Sequence, residues 1–237
     1  MKSSMSAEQS NVPPCADCTV RPFTICAALA TAELQELEQL GRHVHFKPNQ
    51  MVFAQEEIAR SYYNLLDGVM RLYKLLPDGR RQILGFALPG EFLGMACGDR
   101  HGFSADAVGP VVLCRFSRNA FARFVEDRPS LLRRINEFAV SELSQAQDQM
   151  VLLGRRSAEE KIVSFLLGWR DRLARLRPEN GSVALPMGRQ DIADYLGLTI
   201  ETVSRTFTKL ERDGVIEVLQ GGFLFKDVGR AKAIALA

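Results

Sequence analysis

The chain has 237 residues, 46% of them hydrophobic, and a formal net charge of +2 at pH 7. That length suits two modest domains with real cores, and the charge balance neither announces nor excludes a nucleic-acid partner, because a sequence-specific binder needs only a local basic surface. No run of about 18 apolar residues occurs, which excludes a membrane span, and five cysteines, an odd number, argue for thiols or metal ligands rather than a disulfide framework.

Residues 1–30 read as an irregular arm containing Pro13-Pro14, Pro22 and the series Cys15-x2-Cys18-x7-Cys26. Its polar start, with Cys and Pro where a signal peptide carries an apolar stretch, predicts a cytoplasmic protein. Two thiolates separated by two residues can approach one metal centre, and a third seven residues on closes half a cage. The candidates for a fourth donor are Cys97 and Cys114. Four thiolates without histidine suit either an iron–sulfur cluster or structural zinc.

Residues 31–41 follow as a short helix with Leu34, Leu37 and Leu40 on one side. Six β-rich runs come next: His43–Phe46, Met51–Gln55, Tyr62–Leu66, Met70–Leu75, Gln82–Ala87 and Val111–Phe116. Turn residues at Gly68, Asp78-Gly79, Pro89-Gly90 and Gly109-Pro110 separate them, a spacing that predicts a β roll or jelly roll. His43 and His45 alternate on the first run and read as a solvated edge. A long helix over about 130–153 then carries Leu132, Ile135, Ala139, Leu143, Ala146, Met150 and Leu153 at three- and four-residue steps. Such a seam predicts a coiled-coil homodimer. Ala139 and Ala146 permit close approach but bury little, so a weak dimer is expected. Ser157-Ala-Glu-Glu160 then signals the start of another helix, through about Leu176.

The stretch from Arg189 to Leu210 holds two short apolar periodicities broken at Gly197, the residue best able to take positive φ in a tight inter-helix turn. Ile192, Ala193 and Leu196 mark the buried side of the first helix, and Thr199 is placed to cap the second. Ile200, Val203, Phe207 and Leu210 form the apolar back of that second helix, with Glu201, Ser204, Arg205 and Thr208 in front. An apolar back and a short, polar, Arg-bearing front suit the major groove of double-stranded DNA. Val215–Leu219, the Gly221-Gly222 turn and Phe223–Lys226 then read as a hairpin wing. The predicted fold class is α+β: an N-terminal β roll, a long dimerisation helix and a C-terminal winged helix-turn-helix. The corresponding domains are a cysteine arm over 1–30, a sensor roll over 31–127, the dimerisation helix over 128–154 and a DNA-binding domain over 155–237.

This order of parts resembles the CRP/FNR superfamily of bacterial transcription regulators over nearly the whole chain. The most specific segment, Leu198-Thr-Ile-Glu-Thr-Val-Ser-Arg205, looks like the FNR-type recognition helix rather than the CRP type. Gly68, Gly79, Gly90-Glu91 and Gly94 sit where superfamily turns carry glycine. The Phe46–Phe53 stretch departs by lacking one, and Asn49 is suited to stand in because it tolerates left-handed geometry. The resemblance implies a cyclic-nucleotide-binding-like roll and base contacts from Glu201, Ser204 and Arg205. It also implies a two-fold site with TTGAT-like half-sites about one helical turn apart. Arg205 suits guanine O6 and N7, and Glu201 an exposed base amino group. Phosphate contacts are expected from Arg189, Thr199, Thr202 and Lys209.

In FNR-type proteins the distant ligand stands in the sequence context of Cys114. The resemblance therefore implies a [4Fe-4S] cluster on Cys15, Cys18, Cys26 and Cys114, with Cys97 a semi-buried spare. The Cys-x2-Cys-x7-Cys arm is similar to that of FnrN-type oxygen-responsive activators, in which an intact cluster favours the DNA-bound dimer. RNA polymerase is an implied partner, through the Leu76–Arg81 turn. An alternative is a FixK-type regulator without a cluster, constitutive or controlled by thiol oxidation, although such relatives lack the cysteine arm. A zinc-held docking element on a repressor is a further alternative. Cyclic nucleotide is not expected, because Phe103 occupies the position where the superfamily's phosphate cassette needs Arg, even though Glu91 is present. No enzyme is expected either: Walker, dinucleotide and zinc-protease motifs are all missing.

Overall fold

A computed structural model gives the fold and describes residues 15–96, 98–176 and 181–236. Cys97 and Pro13-Pro14 lie outside the described residues. Three short 3-10 turns (Cys15–Asp17, Arg21–Phe23 and Ile25–Ala28) lead into helix α1 (Thr31–Leu40). Eight strands follow: β1 (Gly41–Phe46), β2 (Met51–Phe53), β3 (Ser61–Asp67), β4 (Met70–Leu75), β5 (Arg81–Ala87), β6 (Phe92–Leu93), β7 (Ser104–Ala107) and β8 (Val111–Ser117). Next come α2 (Arg118–Glu126), α3 (Pro129–Arg155) and α4 (Ala158–Ala174), then β9 (Ser182–Ala184), α5 (Arg189–Leu196) and α6 (Ile200–Arg212). The chain closes with β10 (Ile216–Leu219), β11 (Gly222–Phe225) and α7 (Val228–Leu236). Among the described residues, no helix is long and apolar enough to cross a membrane.

The eight strands form two antiparallel four-stranded sheets, β1-β8-β3-β6 and β2-β7-β4-β5. Phe53, Tyr63, Leu65, Met70, Leu93, Val111 and Leu113 fill the space between them. Because side chains alternate across a strand, each sheet also has an outer face, and both outer faces are covered. The arm, α1, α2 and the first turns of α3 bury the outer face of the β8 sheet around Phe92, Cys114 and Phe116. The winged domain buries the outer face of β4 and β5, where Tyr73, Ile83 and Phe86 join Phe165, Trp169 and Phe223 in one core. Wing strands β10-β11-β9 form the third sheet, which Trp169 ties to α4 by donating its indole N–H to the Ala184 carbonyl at 2.8 Å.

All six β-rich runs are strands, and Asn49 takes φ 60° at the turn that lacks glycine. Three elements were not expected. Strand β6 is only two residues long. Strand β7, Ser-Ala-Asp-Ala, is fully buried despite its polar text. Burial is tolerable there because Ser104 Oγ accepts the Gln55 N–H at 2.9 Å and Asp106 is paired to Arg71 at 2.7 Å. Helix α7 docks Ala231 into the winged-domain core; its sequence shows little amphipathic contrast, so the helix is specified by packing.

His101 illustrates how tightly the roll is filled. It is 3% exposed, its ring stacks on Phe53 with centroids 4.0 Å apart, and burial holds its pKa below the ordinary value. The folded state therefore favours neutral imidazole, while the unfolded chain takes up a proton as pH falls below about 6.5. This contribution to stability is complete above that pH and is lost as pH drops through the depressed folded value. The urea midpoint of the protein is expected to fall between about pH 7.5 and pH 5, and His101→Phe should make that fall shallower.

Candidate functional site

Strand β8 serves two cores at once. Val111 and Leu113 point into the roll, while Cys114 and Phe116 are buried on the outer face. In the ladder register Cys114 stands opposite His43 on β1 and Asn64 on β3, so the three form one row across the sheet. The arm lies over this row. Cys15, Cys18, Cys26 and Cys114 consequently line a single cavity of about 410 Å³, together with His43, His45 and Asn64. His43 is thus half-buried against the arm, whereas His45 is exposed as a solvated edge requires.

The cavity is built rather than incidental. Thr24 Oγ1 accepts the Cys26 N–H at 3.1 Å, Glu38 accepts the Cys15 N–H at 3.1 Å, and Arg21 donates to the Leu29 carbonyl at 3.0 Å. Gly41 leaves room beside the thiol, since a Cβ there would stand 3.1 Å from Cys114 Sγ and 2.9 Å from the Phe116 ring. Asn64 is 2% exposed; its Nδ2 donates to Cys26 Sγ at 3.4 Å, and its Oδ1 has no hydrogen-bond partner among the described residues. Asn64 and His43 were missed by sequence reasoning, because only the strand register brings them beside Cys114.

Burial pushes the Cys15 thiol up to about 12, with Glu38 adding to the effect, and burial likewise raises Cys26 and Cys114. Thiols so placed stay protonated unless a cationic centre compensates the thiolate charge. Among the described residues, no three His, Cys, Asp or Glu side chains converge as ligands of one metal ion. A polynuclear iron–sulfur core spreads its thiolates over separate irons and needs more widely spaced donors around a larger void. Four cysteines lining one cavity fit that requirement.

The arm also reaches α3. Ile25 and Leu29 share a core with Leu131, and Ile135 and Phe138 pack against it. Ile135, expected in the dimer seam, is therefore half-buried against its own chain. Leu153 is half-buried at the other end, with its Cδ2 near the Gly197 turn. Between them Ala139, Leu143, Ala146 and Met150 are exposed, and so are Leu132, Val140 and Val151. An open apolar face of this length on one helix is unusual for a surface that meets only water.

In the helix-turn-helix, Gly197 takes φ 62° and Thr199 caps α6 by accepting the Thr202 N–H at 3.2 Å. Val203, Phe207 and Leu210 are buried behind α6, whereas Ile200 is 38% exposed because it stands in the first turn, at the rim of the core. Glu201, Ser204, Arg205 and Thr208 are exposed on the outer face. Hydrogen bonds from the Glu201 backbone and from Thr199 hold the Glu201 carboxyl below its usual range, so it presents an acceptor. The four predicted phosphate-contacting residues are placed differently. Arg189 lies half-buried with its guanidinium 3.2 Å from the centre of the Phe207 ring, and Lys209 pairs with Glu159 on α4. The hydroxyls of Thr199 and Thr202 are 3.1 Å apart. Phe103 packs its ring on Phe53, and Glu91 pairs with Arg172 at 2.7 Å.

Residues 185–216 match the model of bacterial regulatory proteins of the crp family, and residues 43–128 match the cyclic nucleotide-binding domain. The chain is 60% identical over 237 residues to the nitrogen fixation regulation protein FixK of Bradyrhizobium diazoefficiens, covering 100% of both. It is 59% identical over 220 residues to the transcriptional activatory protein AadR of Rhodopseudomonas palustris, covering 93% of this chain and 92% of that one. Among solved structures it is similar to FixK2 from Bradyrhizobium japonicum, with a TM-score of 0.77, 32% identity, and coverage of 83% of this chain and 98% of that one.

The turn at Gly197 has open space: a Cβ there would meet only Leu153 Cδ2, at 3.7 Å. Substitution thus costs backbone strain and nothing more. Gly197→Ala should lower unfolding free energy by about 1–2 kcal/mol, and Gly197→Asn by less, as read from denaturant midpoints.

Proposed function

The chain belongs to the CRP/FNR family of transcription regulators, and from that premise we propose that it is a cytoplasmic, oxygen-responsive, homodimeric activator of TTGAT-like palindromes. We assign its control to a [4Fe-4S] cluster on Cys15, Cys18, Cys26 and Cys114. One observation carries this reading: four thiols line one cavity, roofed by an arm whose Ile25 and Leu29 pack on the base of α3. A cluster bound there supplies oxygen-labile iron–thiolate bonds between the arm and β8.

While the arm is docked, Ile25 and Leu29 support Leu131, Ile135 and Phe138. The first turns of α3 then hold the direction in which Ala139, Leu143, Ala146 and Met150 meet a second copy. Once the arm leaves, that support goes, and a seam containing two alanines separates readily. Each half-site alone contributes too little to outcompete non-specific DNA, so separation removes specific binding. A coupling of about 1–3 kcal/mol suffices for such control. At the DNA, Arg205 reads guanine, Glu201 accepts from a base amino group and Ser204 reaches a base edge or a thymine methyl. Thr199 and Thr202 at the start of α6 approach phosphate. Arg189 and Lys209 must first give up Phe207 and Glu159 to do so. RNA polymerase is met by the Leu76–Arg81 turn, and no cyclic nucleotide is bound because Phe103 offers the phosphate no charge.

The names of the FixK relatives favour a second reading, a FixK-type regulator that works without a cluster. The B. diazoefficiens match runs through the arm as well as the rest of the chain. Within that reading, burial makes Cys15, Cys26 and Cys114 weaker nucleophiles than free thiols, which slows oxidation at those three positions.

Two measurements test the proposal. Arg205→Ala should cost about 1–3 kcal/mol on the palindrome and relax preference at the guanine position alone; equal loss on unrelated DNA would refute the base-reading role. Anaerobically prepared protein should be brown, contain iron and sulfide, and bleach in air. Ser in place of Cys15, Cys18, Cys26 or Cys114 should abolish this, whereas Cys97→Ser should not. Colourless, iron-free protein that still binds the palindrome tightly would establish the second reading.

A further inference from the structure

Arg71 stands at the centre of a charge network between the roll and the winged domain. On the roll side its Nε donates to Asp106 Oδ1 on β7 at 2.7 Å, and its Nη2 donates to Asn49 Oδ1 at 2.8 Å. Toward the winged domain its Nη1 donates to both carboxylate oxygens of Asp191 on α5, at 3.0 and 3.2 Å. Arg81 on β5 adds bonds to Asp191 at 2.7 Å and Asp194 at 2.9 Å, and Gln82 donates to the Asp194 carbonyl at 2.8 Å. Arg71, Asp106 and Asp191 are each no more than 8% exposed.

Buried charges add little net stability even when paired, but they demand one geometry. The surrounding contact of Phe86 with Phe165, Trp169 and Tyr195 is apolar and non-directional, and would by itself let the two domains slide. Asp191 also accepts the Gly188 N–H at 3.3 Å, so a carboxylate that closes the start of α5 is itself tied to the roll. Helix α6 follows α5 through a turn set by Gly197 and Thr199. The direction of α5 therefore sets the direction of α6.

We propose that Arg71 and Arg81 are positioning residues for DNA recognition: they touch no DNA, but fix the angle and separation at which the two α6 helices of a dimer address a palindrome. This rests on the dimeric, palindrome-reading assignment above.

The test uses the full chain, purified anaerobically, on three duplexes: the palindrome, the same palindrome lengthened by one central base pair, and a single half-site. Arg81→Met removes two ties to α5 while leaving the Arg71–Asp106 pair within the roll, so the roll keeps its fold even if Arg71→Met does not; thermal melting checks both. Losing a positive charge weakens every duplex through general electrostatics, so the readout is the ratio between duplexes. Wild type should prefer the palindrome over the lengthened site by more than about tenfold, and Arg81→Met should reduce that preference by about tenfold. An unchanged ratio, with all three duplexes weakened equally, overturns the positioning role. A wild type that binds the palindrome no better than the half-site overturns the dimeric assignment, and this inference with it.

Discussion

The pleat of β8 is the constraint on which the rest depends. Because consecutive residues face opposite sides of a strand, Leu113 can seal the roll while Cys114, its neighbour, faces the arm. A one-residue slip would exchange them, sending a thiol into the jelly-roll core and a leucine to the outer face. Pairing with β1 and β3 prevents that slip, and the same pairing sets His43 and Asn64 beside the thiol. The thiol cavity is therefore a property of register as much as of cysteine spacing.

A second consequence is mechanical. The 3-10 turn Ile25–Ala28 carries both Cys26, which lines the thiol cavity, and Ile25, which shares a core with Leu131 of α3. Events at the sulfurs thus reach the long helix through a single layer of packed side chains. The opposite end of α3 touches the winged domain, where Gln149 donates to the Tyr195 carbonyl at 3.0 Å. On the proposed reading, α3 receives the arm's state at its start and delivers it through the exposed seam. Buried ion pairs meanwhile tie α5 to the roll.

Much of this was legible in the residues. Strand text, turn glycines and the periodicity of α6 act over a few positions, and local physics dominates there. Gly197 and Asn49 take positive φ, and Thr199 caps α6, for reasons internal to their own turns. The expected seam was less secure: Ile135 and Leu153 share its period but are half-buried within the chain, because a helical stripe does not say which surface covers it. Arg189 and Lys209 were expected to face phosphate. In the DNA-free chain Phe207 and Glu159 engage them, and neither contact has a signature in spacing alone.

The residues by themselves determined the fold class, the helix-turn-helix and the thiols available to a metal centre, because side-chain period, φ preference and ligand chemistry are short-range properties. Tertiary structure alone decided that Asn64 and His43 flank Cys114, that the arm rests on α3, and that Arg71 joins Asp106 to Asp191 across 84 intervening positions. Those contacts arise from sheet register and domain docking. The free energy that sets them is summed over whole faces, so no local stretch of sequence records it.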